Sequence, residues 1–316
     1  MPSAPASPPT PAGSSPMPPR LLLSGREWAL CGVTMIWGAT FLFIRIALER
    51  SGPLFFTGMR FAAAAAILLV LALPVLRDIT RRELFGGLAI GCIIFLGFAC
   101  QTSGLASIEA SKSAFITAFY VPLVPVLEWI LLRHMPGRFV LAGLALAFPG
   151  VALISAGGSG LGTLSGFGQG EILTLLCAVA FAFEIVVVGI LAPGTNVRRI
   201  TFVELATTSL LSFACMPVAG EALPRDLLAP AVLACGLGAA TAVLQSVVVW
   251  AQKRIPPSRA TVIYTGEPVW GGFFGWLAGE RLGPGALAGC ALIVAGILVS
   301  GRKSPAKEPG KLSANG

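Results

Sequence analysis

Residues 262–275 read VIYTGEPVWGGFFG, an apolar segment that contains a carboxylate, Glu267, directly followed by Pro268. Proline cannot donate a backbone hydrogen bond and clashes with the carbonyl group four residues earlier, so it kinks or breaks a helix. Inside a bilayer, a broken backbone is tolerated only where protein or a water-filled cavity satisfies its polar groups. The stretch therefore predicts an interrupted transmembrane helix next to a polar site.

The composition extends this interpretation to the whole chain. Of the 316 residues, 55% are hydrophobic and 11% are charged, and the mean hydropathy is +0.85. Soluble domains carry about 25% charged residues, so this chain has too little polar surface to stay soluble. Its apolar runs are continuous and not alternating, which disfavours a β-barrel. We therefore expect an all-α integral membrane protein.

Ten apolar runs are long enough to cross a bilayer, which takes about 17–25 residues. They lie at about 27–48, 54–76, 83–106, 111–132, 138–157, 170–192, 200–219, 228–250, 260–279 and 284–300. The runs divide into two five-helix units, residues 27–157 and 170–301, joined by a Gly/Ser-rich linker at 158–169. We expect residues 1–26 to form a disordered tail and residues 302–316 to form a second tail.

Basic residues orient the spans, because Lys and Arg concentrate in cytoplasmic loops. With the N-terminus in the cytoplasm, sixteen Lys and Arg residues fall on that side and four on the other. This bias predicts that both termini are cytoplasmic and that the protein lies in the inner, or plasma, membrane as a multi-pass protein.

The two halves of the chain resemble each other. ASKSAFITAFYVPLVPVLEWILLRHMPG (110–137) matches PSRATVIYTGEPVWGGFFGWLAGERLG (257–283), with Pro122 set against Pro268 after a shift of one residue. Five spans per half is an odd number, so the second half enters the membrane from the opposite side. The sequence thus predicts ten transmembrane helices as two inverted five-helix repeats.

Inverted repeats are common in secondary transporters, whose substrate sites lie near the bilayer midplane, although channels can share this design. In the last span of each half, Gly143 and Gly150 match Gly289 and Gly296. Matched interruptions at Pro122 and Pro268 favour a central site, and the alternative is that both prolines only kink helices for packing.

Five charged residues lie inside the predicted spans, where charges usually face the interior of the bundle. Glu184 and Glu267 lie deepest, where burial favours the neutral acid. Either residue suits proton coupling or the binding of a cationic group, or else acts as a hydrogen-bonded acid between helices. Glu128 and Glu204 lie about one turn from a span end and can reach the membrane surface. Arg60 can pair with a carboxylate, bind backbone carbonyls or hold an anionic substrate group.

Aromatic and amide side chains surround these charges. Tyr264, Glu267 and Trp270 follow a spacing of three, which places them on one helix face. The predicted transport pocket consists of Glu267, Pro268, Glu184, Arg60, Tyr264, Trp270, Tyr120, Pro122, Trp37, Gln101 and Gln245. Such a set is typical of a site for an amphipathic organic solute.

Three stretches carry a resemblance to a known family: WGATFLFIRIALERSGPLFFTGMRFAAAAAILL (37–69), residues 110–132, and residues 257–299 with their Glu-Pro and Gly-Glu-Arg-Leu segments. The chain resembles the EamA-type branch of the drug/metabolite transporter superfamily over about residues 27–301. This resemblance implies a ten-helix carrier of small metabolites such as amino acids, with alternating access around a central cavity. Many members are bacterial inner-membrane exporters.

The sequence therefore predicts a secondary transporter that exports small amphipathic metabolites. An importer of the same architecture and a non-transporting scaffold or sensor remain alternatives. An enzyme is disfavoured, since the single histidine lies in a loop and the seven cysteines lack metal-ligand spacing. We expect no cofactor, no metal and no nucleic acid, and the partners are the solute and the lipid bilayer. The oligomeric state stays open, a homodimer included.

Overall fold

The computed structural model describes residues 23–108, 113, 116–156, 168–224, 226–277, 283–300 and 302. They contain the helices α1 (Gly25–Leu48), α2 (Pro53–Leu76), α3 (Arg81–Leu105), α4 (Tyr120–Leu132), α5 (Arg138–Ala156), α6 (Gln169–Leu191), α7 (Val197–Cys215), α8 (Leu228–Gln252), α9 (Pro257–Tyr264), α10 (Glu267–Leu277) and α11 (Pro284–Ser300). No strand occurs within these ranges. The tails over 1–22 and 303–316 and the linker over 157–167 lie outside the described residues.

The protein is an all-α membrane protein of ten transmembrane spans. Eight spans are single helices, the span predicted at 111–132 ends with α4, and the span predicted at 260–279 consists of α9 and α10. Within the described ranges, four helices are each long and apolar enough to cross a membrane alone, namely α2, α3, α6 and α8. Side chains such as Val70, Phe85 and Val243 are exposed apolar groups on the outside of these helices, where lipid would cover them.

Helix starts follow from local sequence signals. Ser24 and Glu27 form a capping box at α1, and Thr80 and Glu83 form another at α3. In each box, the cap hydroxyl accepts from a backbone N–H of the first turn while the glutamate accepts from the cap residue. Pro53 opens α2 as its first residue, where a missing N–H costs nothing.

The chain starts and finishes its helices at the same end of the bundle. Arg259 at the start of α9 donates to Glu27 of α1 over 2.7 Å, to the Ile297 carbonyl over 2.8 Å, and to the Ser300 hydroxyl. At the other end, the Glu221 carboxylate caps the start of α2, because it accepts from the backbone amides of Leu54 and Phe55. Because the first helix begins and the last helix ends on the same side, the chain crosses the membrane an even number of times.

The inverted relation of the two repeats is visible where α5 packs antiparallel to α11. A Cβ at Gly143 would lie 2.6 Å from the Gly296 carbonyl oxygen, and one at Gly150 would lie 2.7 Å from that of Gly289. The matching glycines of the two repeats thus contact each other crosswise. A two-fold axis between the helices exchanges one contact with the other, as inverted repeats require.

The centre of the bundle is built from α2 and α7, which pack against each other and against α3 and α8. The first repeat's α3 also packs on α6, and the second repeat's α8 packs on α1. Helices α2 and α7 are equivalent in the two repeats, as are α3 and α8. This central group positions the candidate site described next.

Candidate functional site

The spans that contain Pro122 and Pro268 are both interrupted, as the sequence predicts. The first is broken by a turn at Ala118 and Phe119 just before α4, and the second by a turn at Thr265 and Gly266 just before α10. In the first turn, the Ala118 carbonyl accepts from Val121 over 2.9 Å. That carbonyl is the one four residues before Pro122, so the turn supplies the donor that the proline lacks.

The break changes one expectation about the helix face. Tyr264 ends α9 and Glu267 begins α10, so Tyr264, Glu267 and Trp270 do not lie along one continuous helix. The prediction of a single face failed because it treated the segment as one uninterrupted helix. Glu267 and Trp270 still share α10, with a spacing of three residues.

A polar stripe along α8, formed by Thr241, Gln245 and Gln252, organises the site. The spacings of four and seven residues place all three on one helix face. Each binds a polar side chain from a different helix, as the hydrogen bonds below show. The stripe spans eleven residues, which corresponds to about 16 Å along the helix axis.

Arg60 of α2 lies at one end of the stripe. It is 4% exposed, and its Nε donates to Thr241 Oγ1 over 2.8 Å. The guanidinium also lies over the Phe98 and Phe61 rings, at 5.3 and 5.8 Å from their centroids. No carboxylate of the described residues lies within ion-pair distance of it. Arg60 is therefore a buried cation without an anionic partner among the described residues.

Glu184 of α6 lies one turn further along the stripe. Gln245 Nε2 donates to Glu184 Oε1 over 3.4 Å, a long hydrogen bond. The carboxylate also interacts electrostatically with Tyr264. At the far end, Gln252 Nε2 donates to the Tyr264 hydroxyl over 3.2 Å, and the Tyr264 ring lies 5.4 Å from that of Trp37. Glu184, Tyr264, Trp37 and Gln245 are thus brought together.

Glu267 and Tyr120 are the first residues of α10 and α4 and lie on the two broken spans. Both are partly buried. Tyr120 interacts electrostatically with Glu267 and with Tyr264, which places the two breaks near the same group. Among the described residues, Glu267 has no hydrogen-bond or ion-pair partner.

Other predicted pocket residues lie apart from this group. Trp270 contacts Phe273, which is 42% exposed, at 6.0 Å between ring centroids. Pro122 is exposed and Pro268 is partly buried, so both act on the backbone of the breaks. Gln101 is partly buried, and the described residues provide no polar contact that joins it to the stripe.

The remaining buried carboxylates near helix ends mostly have structural partners. Glu128 accepts from the backbone amide of Ser258 over 3.0 Å and from its hydroxyl, at the start of α9. A carboxylate at a helix N-terminus is stabilised by the amides and the helix dipole. Glu128 is 4% exposed, so the expectation that it reaches the membrane surface is wrong. The same expectation is wrong for Glu204, which is fully buried.

Sequence reasoning missed Thr241 and Gln252. Their spacing to Gln245 is a helical pattern that marks a polar face on an otherwise apolar span. Threonines and glutamines are less conspicuous than charges inside a membrane helix. The spacing indicates a site only once the side chains that face it, on other helices, are known.

Comparison with known proteins places this architecture. The EamA-like transporter family matches the chain twice, over residues 26–156 and 168–302. An uncharacterized transporter of Archaeoglobus fulgidus is 30% identical over 277 residues, which cover 86% of this chain and 84% of that protein. The uncharacterized inner membrane transporter YedA of Escherichia coli K12 is 28% identical over 209 residues, 62% of this chain and 63% of that protein.

Two further comparisons agree. The uncharacterized transporter YvbV of Bacillus subtilis 168 is 31% identical over 181 residues, 57% of this chain and 58% of that protein. A protein crystal structure with 16% identity superposes with a TM-score of 0.73, covering 88% of this chain and 98% of that one. At this identity, the superposition shows a shared fold.

Proposed function

The chain belongs to the EamA-like transporter family, and on that premise we propose that it exports small amphipathic metabolites, amino acids in particular, by alternating access. It is a membrane-embedded, multi-pass transporter. The proposal adds the class of solute, the direction and the mechanism. Resemblance to a family with many exporters supports the direction, and the two inverted repeats around a central group support the mechanism.

One observation carries the choice of solute. Thr241 and Gln245 lie one turn apart on α8, and they hold Arg60 and Glu184, whose ionised side chains have opposite charges. One turn corresponds to a rise of about 6 Å. A guanidinium is well suited to a carboxylate, and a carboxylate to an ammonium group. The arrangement therefore fits a zwitterion such as an amino acid.

Aromatic rings border both charges. Phe98 lies 5.2 Å from Phe61 and 5.5 Å from Phe181 between centroids, next to Arg60. Tyr264 interacts electrostatically with Glu184, and its ring lies 5.4 Å from that of Trp37. Such rings provide apolar surface for the side chain of an amphipathic solute. Glu267 and Tyr120 complete the proposed site from the two broken spans.

We assign the protein to the inner membrane with both termini in the cytoplasm. The unequal distribution of basic residues supports this orientation. A reporter fused to either terminus should be active in the cytoplasm, and activity on the outer side would contradict the orientation. Flux in inside-out vesicles under an imposed gradient would then decide between export and import.

The solute class can be tested with purified protein in proteoliposomes. Three forms of each amino acid would be compared: the zwitterion, the carboxamide without the carboxylate, and the N-acetyl form without the ammonium group. Wild type should show saturable flux of the zwitterion and reject both blocked forms. Arg60→Gln should lose the discrimination against the carboxamide, and Glu184→Gln should lose that against the N-acetyl form. Arg77→Gln, at an exposed arginine, is the matched control.

Two results would overturn the proposal. Folded wild-type protein that shows no saturable flux of any amino acid would exclude this solute class. Equal flux of the zwitterion and both blocked forms would show that Arg60 and Glu184 do not bind the carboxylate and the ammonium group of the solute.

A further inference from the structure

Glu204 on α7 is an acidic residue that the proposed solute site does not use. The residue is 0% exposed, and neither carboxyl oxygen has a hydrogen-bond partner among the described residues. One turn earlier on the same helix face, the Thr201 hydroxyl is also fully buried and lacks a partner in the described part of the chain. Two buried polar groups without such partners thus lie one turn apart on α7.

Burial without partners decides the chemical form of this carboxyl group. An ionised carboxylate away from water is very unfavourable unless it is paired and hydrogen-bonded, whereas the neutral acid costs far less. Neither oxygen is reached by solvent, so water does not stabilise an ionised form in this conformation. Burial therefore favours the protonated, neutral form of Glu204.

The inverted repeat explains why Glu204 has no partner. Glu204 is the eighth residue of α7, as Arg60 is of α2. Arg60 is hydrogen-bonded to Thr241, the fourteenth residue of α8, whereas the fourteenth residue of α3 is Ile94. The isoleucine side chain has no hydrogen-bonding group, so the equivalent position in the other half offers Glu204 no partner.

Among the charged groups of the described residues near Glu204, Glu184 is the one without a strong partner of its own. Glu184 of α6 interacts with it electrostatically. On α2, Arg60 is bound to Thr241, and on α3, Glu83 is bound to Asn196 and Arg199. Two like charges oppose each other's ionisation. The proton on Glu204 is therefore linked to the charge on Glu184.

We propose that Glu204 is a proton-binding site of the carrier, whose occupancy is coupled to the solute through Glu184. The inference deepens the function proposed above and rests on it for the coupling. When an ammonium group neutralises Glu184, the repulsion on Glu204 falls and its carboxyl group can release one proton to water as the helices rearrange. The ammonium group brings a positive charge to Glu184 as Glu204 loses a proton, while the solute carboxylate is met by Arg60. Linkage makes the effect reciprocal.

The protonation of Glu204 can be measured without knowledge of the solute. Infrared spectra of the protein in lipid bilayers, in H₂O and in D₂O, report the C=O stretching band of protonated carboxyl groups. Wild type should show such a band that is missing from Glu204→Gln and from Glu204→Met. Glu221→Gln, which removes a carboxylate bound to backbone amides, should leave it in place. Glu184→Gln should shift the loss of the Glu204 band to lower pH, because the repulsion is gone.

The coupling is measured in proteoliposomes loaded with an amino acid. A pH gradient should drive accumulation in wild type, and this response should be lost in Glu204→Gln while exchange without a gradient persists. An unchanged acid band in both Glu204 variants would show an ionised carboxylate and overturn the proposal, and so would an unchanged response to the gradient. A wild-type protein that shows the band but transports no amino acid would count against the proposed solute class and not against the proton site.

Discussion

The two repeats share their backbone packing and differ in the side chains at equivalent positions. A Cβ at Gly91 of α3 would lie 2.6 Å from the Glu204 carbonyl oxygen, and one at Gly238 of α8 would lie 2.6 Å from that of Arg60. Each glycine is the eleventh residue of its helix. The same close approach of two helix backbones thus recurs in both halves. It occurs at the basic residue Arg60 in the first repeat and at the acidic residue Glu204 in the second.

A second pair of equivalent positions repeats this contrast. Tyr120 is the first residue after the break in the first repeat, and Glu267 is the first after the break in the second. Glycines and helix breaks preserve the symmetry of the fold, whereas the polar side chains depart from it. A solute with two different ends requires such an asymmetric site in a symmetric frame.

The largest effect is expected at the paired glycines. Gly91→Leu and Gly238→Leu should each lower the free energy of unfolding by about 3 kcal/mol, because the new side chain meets a backbone carbonyl that cannot move aside. Thermal unfolding in detergent measures the loss. Gly236→Ala is the control, since nothing lies within 4 Å of its Cβ position, and it should stabilise α8 by about 1 kcal/mol. Unequal losses at Gly91 and Gly238 would break the comparison of backbone packing.

The next effect separates the equivalent residues Arg60 and Glu204. Arg60→Gln should reduce amino-acid flux about 10- to 100-fold, since a hydrogen bond to a charged group contributes about 1.5–3 kcal/mol. Glu204→Gln should instead remove the response to a pH gradient. Initial rates with and without the gradient distinguish the two. Identical losses in both variants would mean that the two positions have the same role.

A smaller effect is expected at the two breaks. Glu267→Gln should weaken the affinity for the amino acid about tenfold, because a charged partner of the ammonium group is lost. Tyr120→Phe removes a neutral hydroxyl and should weaken it about twofold. Half-saturation concentrations in proteoliposomes measure both. A larger loss of affinity for Tyr120→Phe than for Glu267→Gln would contradict the assignment of Glu267 as the residue that binds the ammonium group.

The smallest effect concerns a contact that has no counterpart in the first repeat. Gln252 is the last residue of α8, and the last residue of α3 is Leu105. Tyr264→Phe should lower the free energy of unfolding by about 1 kcal/mol through loss of the Gln252 hydrogen bond. Chemical or thermal unfolding measures this change, and the double variant with Gln252→Leu should recover part of it. Full additivity would show that the two side chains do not interact.

Sequence alone predicts the frame of this molecule and part of its site. Apolar runs locate the spans within a few residues, because bilayer thickness fixes their length. Pro122 and Pro268 locate the breaks, because proline acts on its own backbone. Thr241 and the environment of Glu204 are not predictable in this way, since both depend on which helix packs opposite. Glu128 shows the same limit, because its partner Ser258 lies 130 residues away.

The contacts of Arg259 have a consequence for the closure of the bundle. Its guanidinium joins the beginning of α1, the beginning of α9 and the end of α11 at one end of the bundle. A movement that parts α1 from α9 at this end would separate Glu27 from Arg259, whose side chains are 14% and 6% exposed. Breaking a largely buried ion pair costs free energy. This contact therefore favours the closed arrangement of this end of the bundle.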